Sequence, residues 1–162
     1  MRPHLIPGLL AALALALPVQ AQNATQVRQA TSGGDCPRCN LFQADFGGRT
    51  VRGRNFSGAR LRQADMSLSV MNHSSFAGAD LRDVEAYGGV FGGTSFAGAN
   101  LTNASFVGAY LQGANFRGAT LHGVNFSGSE MDGAIGLTQA QLDQACGDRA
   151  TTLPRGLRLR AC

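Results

Sequence analysis

Residues 94–118 read TSFAGANLTNASFVGAYLQGANFRG, five blocks of five with a large apolar residue third in each: Phe96, Leu101, Phe106, Leu111 and Phe116. The register runs on in both directions without a slip. From Leu41 to Met131 every fifth residue is large and apolar, and of these nineteen positions only Ala86 departs. A period of five matches neither the helix, at about 3.6, nor the strand, at about 2. So short a period, held over so many copies, belongs to a supersecondary unit whose copies stack to bury one shared core.

Each place in the block has its own chemistry. The residue two before the apolar centre is usually small, as at Ala44, Ala59, Ala64, Ala79, Ala99, Ala104 and Ala109. The residue just before the centre is often Asp, Asn or Ser. The residue two after it is Gly in thirteen of the nineteen blocks. Large and small residues therefore point inward, and the Gly takes a tight corner where a side chain is sterically costly.

The units Ala44-Asp45-Phe46, Ala79-Asp80-Leu81, Ala99-Asn100-Leu101 and Ala114-Asn115-Phe116 resemble the pentapeptide-repeat family, whose unit is A-(D/N)-(L/F)-x-x. That resemblance implies an all-β solenoid: a right-handed quadrilateral β-helix with four units per coil, nearly five coils in all. The columns support four walls independently. Residues twenty apart put Leu41, Leu61, Leu81, Leu101 and Leu121 on one wall and Phe56, Phe76, Phe96 and Phe116 on another, whereas a three-sided coil scrambles both. At Ala86 the neighbouring Val84 exchanges large for small between two inward places, which conserves core volume. Arg49 and Arg54 fall at the small inward place, where an unpaired charge is costly. The first coil is therefore expected to be distorted there.

Four segments follow. Residues 1–21 have the anatomy of an export signal: Arg2, an apolar run from Leu9 to Leu17, Pro18, then Val19 and Ala21 as small residues before Gln22. Residues 22–35 are polar and aperiodic and read as a flexible leader. The repeat domain takes 36–135. Residues 136–162 read as a C-terminal capping helix and strap: a capping box at Thr138 and Gln141, a helix from Gln139 to Cys146, and apolar Leu153, Leu157 and Leu159 folding back.

The chain carries fourteen Arg and no Lys, with a net charge of +4, and four cysteines. Cys36-Pro-Arg-Cys39 has the spacing of a thiol–disulfide redox motif but lacks the βαβ frame that depresses a thiol pKa. Sequence proximity favours structural bridges Cys36–Cys39 and Cys146–Cys162, one at each end of the solenoid, in an oxidising compartment. His73 and His122 fall on different walls, so no catalytic constellation forms. Asp45, Asp65 and Glu85 stack as a carboxylate ladder, expected to pair with Arg62 and Arg82 three residues earlier rather than to hold a metal. Arg38, Arg49, Arg52, Arg54, Arg60 and Arg62 crowd the first coils. Val70, Val90 and Tyr110 stack on one wall, with Tyr87 and Val107 on the wall before it, as a candidate partner surface.

These features point to a non-enzymatic, exported scaffold or protein-binding module, periplasmic or secreted. It calls for no cofactor or metal, and its protein partner is not identified by the sequence. Nucleic acid is not expected as a partner, nor is an integral membrane segment once the signal is removed. Two alternatives compete: a thiol–disulfide redox protein acting through Cys36 and Cys39, and a DNA mimic that binds gyrase, as some members of the family do. The mixed charge of the repeats and the export signal disfavour the second.

Overall fold

The computed structural model describes residues 22–162; the export signal read in residues 1–21 lies outside them. Its architecture follows from one register. Parallel bridges join residues twenty apart at every block, from Asn40 with Arg60 through Asp45 with Asp65, Thr50 with Val70 and Asn55 with Ser75, on to Asn115 with Ile135. Each twenty-residue turn of chain thus has four sides. Two kinds of backbone bond tie neighbouring turns, as in Leu41 N–H to Arg60 O at 2.8 Å and Asp65 N–H to Ala44 O at 3.0 Å.

The corners recur every five residues with positive φ. Gly takes most of them, but Arg38, Gln43, Gln63, Leu68, His73, Asp83 and Asn103 adopt the same left-handed geometry. A side chain there costs about 1–2 kcal/mol, which accounts for the glycine bias of the sequence. Inside, the columns are as the spacing implies. Phe56 stacks on Phe76 at 5.2 Å between ring centroids, Phe76 on Phe96 at 5.6 Å and Phe96 on Phe116 at 5.3 Å. Both Ala86 and Val84 are fully buried. The Phe91 ring leans over Gly89, where a Cβ would lie 2.5 Å from it.

Three expectations need correction. The segment read as a flexible leader folds as α1, Ala24–Thr31, with the Asn23 side chain accepting from Gln26 N–H as its N-cap. Ala30 is buried and Val27 packs on the core, while Gln26 Oε1 accepts from Asn40 N–H at 2.7 Å. The polar composition concealed this because the helix needs only two small apolar contacts and its amides.

Arg49 and Arg54 both turn outward. The interior beside Arg54 is taken by buried Ser74, which accepts from Arg54 N–H at 3.1 Å and donates to Val51 O at 3.1 Å. The first coil keeps its bonds without burying a charge. Thr94 repeats the device one coil on, donating to Met71 O at 2.9 Å.

The C-terminal helix, α2, spans Gln139–Leu142 rather than reaching Cys146. Its capping box is formed, and Leu142 is buried. The chain leaves helical geometry because residues beyond it rejoin the ladder: Cys146 N–H donates to Val124 O at 2.9 Å and Phe126 N–H to Cys146 O at 2.8 Å. Here β1, Cys146–Gly147, pairs in parallel with β2, Arg160–Ala161.

Polar side chains finish the backbone ladder where no further coil exists. At the first turn Asp35 Oδ1 accepts from Asn55 N–H at 2.9 Å. At the last, Asp148 Oδ1 accepts from Gly128 N–H at 2.9 Å, and Gln141 Nε2 donates to Phe116 O and Ala119 O at 3.0 and 2.9 Å. No helix among the described residues is long and apolar enough to cross a membrane.

Candidate interaction surface

The parallel bridges of Val70 with Val90 and of Val90 with Tyr110 put these three side chains in one outward column. They are half-buried. On the preceding wall Val107 is half-buried, and Tyr87 is 57% exposed. The fold therefore brings all five candidate residues to one corner of the rod. Sequence reasoning missed a sixth. Leu68 stands at that corner, 61% exposed, with φ +58°. Its Cδ2 lies 2.9 Å from where a Cβ on Gly88 would be, so it rests on the bare corner of the next coil. The available signal was an apolar residue where Gly is the rule.

Such a leucine bears a double cost, backbone strain and exposed apolar area, which folding alone gives no reason to keep. Beside it runs the carboxylate column, with Asp45 bridged to Asp65 and Asp65 to Glu85. Asp45 and Asp65 each accept from the N–H two residues on, at 2.8 Å. The expected pairs of Arg62 with Asp65 and of Arg82 with Glu85 are not formed. Arg82 instead binds Asp80 with two bonds, Nε to Oδ1 at 2.7 Å and Nη2 to Oδ2 at 2.6 Å. Those two residues flank the centre of one block and share an outer face, whereas Glu85 lies past the corner. The Arg82 guanidinium holds the Asp80 carboxyl below its usual range. Among the described residues no arginine pairs with these three carboxylates, and Arg49 reaches only the Asp45 carbonyl, Nε donating to O at 3.1 Å. Among the described residues no group of three or more His, Cys, Asp or Glu is arranged to hold a metal.

Cys36 and Cys39 are buried, with sulfurs 2.04 Å apart, and the Cys146 and Cys162 sulfurs are 2.11 Å apart. Cys36 N–H donates to Asn55 O and Arg38 N–H to Ser57 O, the bonds of an ordinary block. The CPRC stretch is therefore a repeat unit, with Cys36 at the apolar centre and Cys39 at the small inward place. Of the arginine-rich start, Arg38, Arg49, Arg52, Arg54 and Arg60 are exposed on more than one wall, and Arg62 is half-buried. His73 and His122 are exposed at separate corners.

The family model described as pentapeptide repeats matches in eight copies, over residues 39–67, 52–85, 88–118, 99–135 and 109–146. No curated protein gives a match. Solved structures that resemble the chain include a pentapeptide repeat protein from the Arabidopsis thaliana thylakoid lumen, at 25% identity and TM-score 0.36, covering 70% of each chain. Another, from Nostoc, has 22% identity and TM-score 0.41 and covers 85% of this chain and 88% of its own. QnrB1, a plasmid-mediated fluoroquinolone resistance protein, has 22% identity and TM-score 0.40, with 76% of each chain covered. With its five-residue register matched over most of its length, the chain belongs to the pentapeptide-repeat family and shares that family's right-handed quadrilateral β-helix.

Proposed function

We propose that this protein is an exported, non-enzymatic binding module: a rigid rod of nearly five coils that holds a protein partner at the corner formed by Leu68, Tyr87 and the Val70–Val90–Tyr110 column. The observation that carries this reading is Leu68, exposed and held in left-handed geometry where most corners are Gly. The adjacent Asp45, Asp65 and Glu85 favour a partner segment with apolar side chains beside basic ones. In this reading α1 caps one end and α2 with its strap caps the other. The two cysteine pairs act as structural disulfides that fix those ends, which suits an oxidising compartment. Buried sulfurs oppose a redox role for Cys36 and Cys39.

The test is photocrosslinking in the exporting cell, with the reactive residue at Val90 and a control at Ala97 on another wall. The expected result is one adduct from Val90 alone, lost on Leu68→Ser. An adduct equally strong from Ala97, or unchanged by Leu68→Ser, refutes the assignment.

A further inference from the structure

Inward side chains fill the rod, so any small-ligand site must be on its outside, and one corner is hollow. There Gly93, Gly113 and Gly133 stack as a floor of bare backbone, each at positive φ. A Cβ on Gly113 or on Gly133 would lie 3.9 Å from the backbone of the coil before it. His73 closes one end, its Nδ1 lying 2.6 Å from where a Cβ on Gly93 would be. On the side, the Tyr110 ring lies over Gly92, with Cε1 3.0 Å from the corresponding point. The hollow measures about 540 Å³, within the range of ligand pockets, about 300–1,000 Å³.

The groups around it fit one kind of ligand. Asn72 Oδ1 accepts from Gly92 N–H at 2.9 Å, and Gln112 Oε1 accepts from the Tyr110 hydroxyl. Among the described residues their amide nitrogens and the Asp132 carboxylate have no protein partner. Two carboxamides, a carboxylate and an imidazole supply both donors and acceptors. The phenol adds a flat apolar face. Neither Arg nor Lys lines the hollow, which argues against an anion. Vicinal hydroxyls above an apolar ring face are the chemistry of a pyranose. We infer that this groove is a saccharide-binding site for a short β-1,4-linked glycan. The glycan runs along the rod, with successive rings advancing by roughly the coil spacing, about 4.8 Å, and equivalent ring faces recurring at every second coil. Only Tyr110 is shared with the apolar corner, so the two sites stand or fall separately.

The experiment titrates the purified chain with the tetrasaccharides of β-1,4-linked N-acetylglucosamine and of β-1,4-linked glucose, with α-1,4-linked maltotetraose for comparison. Backbone amide NMR shifts provide the readout. A β-linked oligomer is expected to move the amides of Gly93, Gly113 and Gln112 and to bind more tightly than maltotetraose. Gly92→Gln fills the groove at a place where other coils carry Arg52, Asn72 and Gln112, and it pushes aside the Tyr110 ring, whose Cε1 lies 3.0 Å from a Cβ there. It is expected to weaken binding about tenfold, the effect of about 1.4 kcal/mol. Asp132→Asn supplies a second, milder loss with the groove left open. Overturning results are millimolar oligomer that shifts none of these amides, shifts centred on another wall, or affinity unchanged in both variants.

Discussion

Replacing Phe96 by Ala tests the stacked column most directly. Phe96 is fully buried, between Phe76 at 5.6 Å and Phe116 at 5.3 Å, with Phe91 at 5.9 Å and Phe106 at 5.6 Å across the interior. Truncating a buried Phe to Ala costs about 3–5 kcal/mol. Four ring neighbours place this site at the upper end, since each aromatic pair adds about 0.5–1.5 kcal/mol beyond its area and shared partners do not add in full. At about 2–4 °C per kcal/mol for a chain of this size, the melting temperature falls by about 10–15 °C. Val51, in the first coil and also buried, provides the comparison, because Val51→Ala removes two methyl groups worth about 1–2 kcal/mol. Neighbouring coils support one another pairwise, so a lesion at mid-rod also broadens the transition more than one at the end. Urea unfolding followed by circular dichroism, with calorimetry for the midpoint, measures both. A Phe96→Ala loss no larger than that of Val51→Ala, with an equally sharp transition, refutes the ladder.

Three further outcomes follow from single residues. Leu68→Gly removes the left-handed strain without opening the core, so thermal stability rises by a few tenths to about 1 kcal/mol; a fall shows that Leu68 supports the fold. Gly136→Ala costs about 2 kcal/mol or more in chemical denaturation, because at φ +75° its Cβ meets Arg117 N at 2.6 Å; a neutral effect contradicts the tight docking of that turn. Asp148 has its carboxyl held below the usual range, first by Gly128 N–H and then by Thr151 and Ala150. A native value below the unfolded one, about 3.9, means that the stabilisation is complete above that pH and disappears as pH drops through the native value. Asp148→Asn therefore flattens the loss of stability below about pH 4 relative to the parent chain, and two unfolding curves with the same acid slope count against this.

Legibility in the sequence followed the strength of the local rule. The centres from Leu41 to Met131, the glycine corners and the twenty-residue columns were readable because inward places tolerate few side chains. The first block was readable too, since Cys36 lies five residues before Leu41, but its CPRC spacing resembles a different motif. Arg54 could not be placed from its own block, because its outward turn depends on Ser74 one coil away. The same holds for Arg82, whose partner was chosen by wall geometry and not by separation along the chain. Helix α1 escaped notice since, beyond Val27 and Ala30, its contacts are amides reaching backbone, which leave no apolar periodicity. The apolar corner was legible in five of its residues, and Leu68 was overlooked because only the backbone reveals the strain it bears.

The twenty-residue register also restricts how such a chain can change in length. Inserting one block of five directly after Ser75 leaves every unit locally sound yet rotates all later residues by a quarter turn. Val90 and Tyr110 then face a different side from Val70, and the aromatic pile is cut in two. Duplicating four blocks restores every vertical alignment and lengthens the rod by about 4.8 Å. Descendants of this gene that keep its columns therefore differ by whole storeys, and the spacing between two surface patches on one wall is adjustable only in that increment.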